Sequence, residues 1–108
     1  MAKAVVLRQR AADDIDAIVA HYDGEGGSVL AGRFIDSVEQ ATRHLGRHPQ
    51  TGSLRYSYEL DIPGLRSWPL RTFPYLVFYV DAADHVDVWR MLHSARDIPA
   101  WLAEVGPA

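Results

Sequence analysis

Residues 73–93 read FPYLVFYVDAADHVDVWRMLH, and the fold turns on how that stretch is placed. Along an extended strand, Phe73, Tyr75, Val77 and Tyr79 point one way and Pro74, Leu76, Phe78 and Val80 the other. Both sides are apolar, whereas an antiparallel strand with one wet face alternates apolar with polar. Asp81, Ala82, Ala83 and Asp84 read as a hairpin turn, and His85 to His93 as the returning strand. Upstream, Leu65 to Arg71 is a third strand candidate, entered from a loop near Ile62, Pro63 and Gly64. The junction Arg71–Thr72–Phe73 reads as a bulge or bend. A meander with two apolar faces needs cover on both.

The first half of the chain supplies one cover. Ala4 to Leu7 reads as a short strand, with β-branched Val5 and Val6. In AADDIDAIVAHYDGEGG, Ile15, Ile18, Val19 and Tyr22 form one helical stripe, while Asp13, Asp14 and Asp16 suit the positive end of the helix dipole. Gly24, Gly26 and Gly27 stop that helix, and a second starts near Ser28. Its stripe is Leu30, Phe34, Val38, Ala41 and Leu45, with Ile35 alongside, and Pro49 and Gly52 close it. A final short helix, from about Ile98 to Glu104, carries Trp101 and Leu102. The expected fold is α+β: an N-terminal strand and a two-helix hairpin packed on an antiparallel β-sheet, with a short C-terminal helix. The second sheet face needs the C-terminal helix with Trp101 and Leu102 folding back, a second copy of the chain, or an amphipathic partner segment, alone or in combination.

Bulk properties narrow the function classes. A chain of 108 residues implies one domain, spanning 1–108. No cysteine is present, which excludes disulfide frameworks and cysteine zinc sites and fits a reducing cytoplasm. No apolar stretch approaches the ~20 residues that span a bilayer, and MAKAVVLRQR lacks the apolar core of a secretion signal. The formal net charge is −3, so no global field holds a polyanion, and generic nucleic-acid coating is not expected. Lys3 is the only lysine; the other cations are arginines, suited to bidentate contacts with carboxylate or phosphate.

The stretches GLRSWPLRTFPYLVFYV (64–80) and VDVWRMLHSARDIPAWL (86–102) resemble the ParE-like branch of the RelE/ParE toxin superfamily. LRQRAADDIDAI (7–18) and the Pro49 and Gly52 turn extend the likeness from about Val5 to Leu102, and LHSARDIP (92–99) is its most specific part. The resemblance implies two N-terminal helices on a curved antiparallel sheet. It also implies the toxin role in a type II toxin–antitoxin pair, with a cognate antitoxin as partner.

Two chemistries are associated with that superfamily, so the fold alone does not fix the function. One branch is ribosome-dependent endoribonucleases; the other, ParE-like, poisons DNA gyrase. RNA cleavage needs a base, a cation at the phosphate and an acid at the leaving oxygen. The candidates are Arg71, His93 and Arg96, with Arg66 and Arg90 as further phosphate clamps and Tyr75 and Tyr79 as base-stacking groups. The competing structural roles are His93 as a hydrogen-bonded hinge, Asp97 as N-cap of the last helix and Arg96 paired with a carboxylate. An acidic chain with one lysine, lacking a clear terminal tyrosine or lysine, departs from what the nuclease branch implies and favours the gyrase poison. An inactive homologue kept as an antitoxin-binding module is the third reading. Trp68, Tyr75, Val77, Tyr79, Trp89 and Trp101 are the expected antitoxin groove. His44 and His48 have metal-compatible spacing but lack a third ligand, so they are read as solvent-facing, and no metal or cofactor is expected.

Overall fold

The computed structural model of the chain describes residues 2–103; Glu104, where the last helix was expected to end, lies outside the described residues. Four strands, β1 (Ala4–Leu7), β2 (Leu65–Pro69), β3 (Tyr75–Asp81) and β4 (His85–His93), lie in the order β1-β4-β3-β2. The meander β2-β3-β4 is antiparallel, as expected. β1, however, pairs parallel with β4, placing Ala4 opposite His85 and Leu7 opposite Val88, so the sheet is mixed. Parallel pairing requires a long crossover, and the helical segment after β1 provides it. β2 stops at Pro69 and β3 starts at Tyr75, shorter than expected, because Thr72 at φ 76 turns the chain and Pro74 has no N–H to give a ladder.

The helical segment α1 (Gln9–Arg47) is broken at Gly26 and at Gly27, whose φ of 72 and ψ of −168 suit glycine alone. Tyr22 and Phe34 flank this break with ring centroids 5.5 Å apart. In a straight helix they would stand about 18 Å apart. The two arms therefore fold back as the expected hairpin. Ile15, Ile18, Val19 and Tyr22 of the first arm, and Phe34, Val38, Ala41 and Leu45 of the second, pack with Val77, Tyr79, Val86, Val88 and Met91.

The other sheet face is covered from within the chain. Leu65, Phe78 and Leu92 meet Tyr56 of α2 (Arg55–Leu60) and Ile98 and Leu102 of α3 (Ile98–Ala103). Trp101 and Leu102 thus fold back, while α2 was not expected at all. Its six residues, RYSYEL, are too short to display a helical period, and its N-cap is Leu54, which has no side-chain acceptor, although Ser53 Oγ accepts the Arg55 N–H at 3.1 Å. A register shift in the β3–β4 ladder leaves Trp89 without an opposite residue, since Phe78 faces Arg90 and Tyr79 faces Val88. This bulge changes the parity of β4, which is how Val86, Val88 and Met91 all reach the helix-side core.

Tyr79 brings a polar constraint into that core. Its hydroxyl donates to the Pro49 carbonyl at 2.8 Å and accepts the Gly52 N–H at 2.9 Å, fastening the loop after α1 onto β3. A Cβ on Gly52 would lie 2.5 Å from the same hydroxyl, so the close approach explains the glycine. Burial is the main cause that lifts the Tyr79 pKa above the ordinary phenol value. Tyr79→Phe should lower unfolding free energy by about 1–3 kcal/mol in urea titration, because the Gly52 amide loses its partner. An unchanged midpoint would show that this bond contributes nothing.

Candidate functional site

The C-terminal half of β4 is where the elements converge. β1 leaves this strand at Val88, whose carbonyl still accepts the Arg8 N–H at 2.9 Å. Past that point a side chain takes over the open edge: Asp14 Oδ2 accepts the Met91 N–H at 3.0 Å. Arg90, 2% exposed, grips the same carboxylate bidentately, Nε to Oδ2 at 2.8 Å and Nη2 to Oδ1 at 2.9 Å. Its Nη1 donates to the Trp101 carbonyl at 3.2 Å. One guanidinium therefore joins α1, β4 and α3, which removes Arg90 from the expected phosphate clamps. Asp14 is likewise not a dipole residue: the helix begins at Gln9 and its first turn holds no acid.

Beside this pair lies a cleft of about 400 Å³ whose lining includes Ile18, His21, Tyr75, His93, Arg96 and Trp101. The His93 ring stands edge-on to Tyr75, centroids 5.2 Å apart, and its Nδ1 accepts the Ala95 N–H at 3.0 Å. That bond is the hinge role named above. Asp97 Oδ1 accepts the Ala100 N–H at 3.3 Å, the expected cap of α3. Arg96, expected on a carboxylate, instead lies 4.7 Å above the Trp101 ring. Arg71 does not join His93 and Arg96; it lines a depression between the second arm of α1 and the 69–73 bend. Arg66 is occupied by the Gln50 and Gly52 carbonyls, each at 2.9 Å.

The six residues expected to form one groove divide between the two sheet faces. Tyr75, Val77 and Tyr79 face α1, and Val77 and Tyr79 are fully buried beneath it. Trp68, half-buried on the same side, stacks on His44 at 4.4 Å between centroids and 15° between planes. His44 is therefore packed rather than solvent-facing, and its Nε2 lies 3.0 Å from Thr51 Oγ1, while His48 is exposed. Trp89 and Trp101 belong to the opposite face. Each element covers one side only, so a single groove cannot contain all six.

Trp89 sits in a polar cluster whose acid and base went unremarked in the sequence. Its Nε1 donates to Asp87 Oδ2 at 3.0 Å, and Arg8 bonds both Asp87 oxygens while lying 4.4 Å above the indole. Burial opposes ionisation of Asp87, but the hydrogen bonds from Arg8 and Trp89 and the charge of Arg8 outweigh it, holding the pKa below the usual carboxylate value. The signal was present as the i, i+2 pair Asp87 and Trp89 on one strand; the Arg8 partner lies 79 positions away.

The sequence matches the family model described as ParE toxin of type II toxin–antitoxin system, parDE, over residues 5–98. The chain belongs to the ParE toxin family. Its fold is also that of a solved chain from the chromosomal ParDE TA system of P. aeruginosa, with a TM-score of 0.70 and 22% identity. That match covers 84% of this chain and 95% of the other. No curated protein sequence matches. Membership in the ParE family places the chain on the toxin side of type II toxin–antitoxin systems, with a protein antitoxin as the implied partner. Among the described residues no helix is long and apolar enough to cross a membrane, and no group of three or more His, Cys, Asp or Glu could hold a metal.

The Asp87 cluster gives a pH prediction. Because its folded pKa is depressed, its stabilisation is present above the unfolded value of about 3.9 and is lost as pH falls through the folded value. Asp87→Asn should therefore flatten the acid limb of the stability–pH curve while leaving its alkaline limb unchanged. Parallel acid limbs for the two proteins would rule the cluster out as a contributor.

Proposed function

We propose that this ParE-family chain is a growth inhibitor that acts in the cytoplasm by poisoning DNA gyrase and is neutralised by a cognate antitoxin. The observation that carries this reading is the dispersal of the groups a nuclease would need. Arg90 is held by Asp14 and Arg66 by two carbonyls, and Arg71 lies apart from His93 and Arg96. His93 has one ring nitrogen occupied by a backbone amide. General acid–base cleavage needs its base, acid and phosphate cation within hydrogen-bond reach of one phosphodiester. A poison that holds an enzyme in its cleavage complex needs only a protein-complementary surface, for which a net charge of −3 is no obstacle.

The C-terminal cleft, with Tyr75 and Trp101 flanking cationic Arg96, has the aromatic and arginine character of interface anchors, and it is the surface assigned here to the target. The antitoxin-free protein should inhibit gyrase supercoiling and accumulate cleaved DNA, and Arg96→Glu should weaken inhibition by ~10-fold or more. His48→Gln, at an exposed position outside this cleft, should leave inhibition nearly unchanged. Absence of any effect from folded protein in large molar excess over gyrase would sink the reading, and ribosome-bound mRNA cleavage abolished by Arg71→Ala and His93→Ala would replace it.

A further inference from the structure

Among the described residues β1 is an edge strand, with β4 on one side and no strand on the other. Its residues Ala4–Leu7 read AVVL, with none of the lysine, proline or bulge that ordinarily guards a sheet edge. The cations at its two ends are turned inward. Lys3 Nζ donates to Asp81 and to the Ala82 carbonyl, each at 2.6 Å, and Arg8 holds Asp87. Val6 is left 49% exposed and Leu7 39%.

The backbone of this edge is selective about what it accepts. The Arg8 N–H donates to the Val88 carbonyl, and amide direction alternates along a strand. Residues 4, 6 and 8 therefore address β4, while Val5 and Leu7 address the open side. The Lys3 N–H faces that side too, but the Gly46 carbonyl takes it at 2.8 Å, so the end of α1 closes the edge there. Val5 and Leu7 remain, placed symmetrically about Val6. An antiparallel strand centred on Val6 sets Val5 against a residue 7 and Leu7 against a residue 5. Both are pairs that exchange two hydrogen bonds. The strand that offers this register is β1 itself.

We propose that β1 pairs antiparallel with β1 of a second copy of this chain, about a two-fold axis through Val6, joining two four-stranded sheets into one. Charge complementarity selects this occupant. Gly46 lies against Lys3, so α1 ends beside the N-terminal end of β1, where Arg43 and Arg47 line a shallow groove with Val5 and Leu7. Glu39 touches Arg43 loosely, at 3.9 Å, and leaves Arg47 to the second copy. At the opposite end of β1, α1 begins with Gln9 and Asp13 on one face, joined by a 2.8 Å hydrogen bond. Pairing about Val6 puts Lys3 opposite Gln9 of the second copy. The basic end of each helical segment thus meets the acidic start of the other, with Arg47 beside Asp13 of the second copy, and the symmetry makes this contact twice. Assembly stops at two, because Ser53 and Ser67 exchange bonds of 2.9 Å across the far edge, on β2.

Sedimentation equilibrium of the native chain, at concentrations up to about 0.5 mM, reads the association. The expected result is a reversible dimer. V6K sets like charges face to face on the axis and should weaken it ~30-fold or more. V5P removes an amide that the monomer leaves unpaired, should weaken it comparably, and replaces V6K if that variant does not fold by circular dichroism. D13R and R47D should each weaken it about fivefold or more, and D13R/R47D should return it to within about threefold of native. A native chain that stays monomeric throughout overturns the proposal, and a loss of antitoxin affinity in V6K would then give the edge to the antitoxin. A dimer indifferent to both V6K and V5P overturns it in favour of another interface. A double swap no tighter than its single variants overturns the two-fold register.

Discussion

The contact between Asp14 and Arg90 is the constraint on which the rest of this molecule depends. Burying two opposite charges costs several kcal/mol for each ion, and the arrangement holds only if the remaining polar atoms find partners. Here Asp14 accepts two bonds from Arg90 and one from the Met91 amide, while Arg90 also reaches the Trp101 carbonyl. No buried side-chain nitrogen or oxygen among the described residues lacks a partner. The pair also solves a topological problem. β1 is only four residues long, so it leaves the second half of β4 with an open edge, and a carboxylate from the helix that follows β1 takes its place.

From that pair the functional layout follows. Because Arg90 is fixed between α1 and α3, the cleft beside it acquires a defined wall, and Trp101 and Arg96 are presented at its rim. Trp89 shares the outer face of β4 with Asp87 by simple alternation, where Asp87 and Arg8 hold it, and the bulge there turns Met91 back to the helix side.

Much of this was legible in the sequence wherever a local period carried the information. The opposed apolar sets of residues 73–80, the stripes of both helical arms and the glycine break at Gly27 depend on neighbours within a few positions, and the structure has each of them. The LHSARDIP block pointed to the ParE family, which the match over residues 5–98 shows. Parallel pairing of β1, by contrast, is a choice of partner about 80 residues away, and four residues contain nothing that states it. Helix α2 hid in a segment shorter than two helical turns. The groove expectation failed for a related reason: strand parity tells which residues share a face, but not which element covers that face. Tyr79 and Trp89 are alike in composition and strand context, yet one lies under α1 and the other beside α3. For the same reason Arg90 read as a phosphate ligand, since its residue type is local and its carboxylate is not.

A double-mutant cycle on Asp14 and Arg90 tests this account most directly. Unfolding free energies would be measured in urea for the native chain, Asp14→Asn, Arg90→Leu and the double variant. If the pair organises α1, β4 and α3, each single change is severe, and the double change costs less than the two added together by about 2 kcal/mol or more. Costs that simply add would contradict it, leaving the ion pair as one contact among many rather than the tie that holds the three elements.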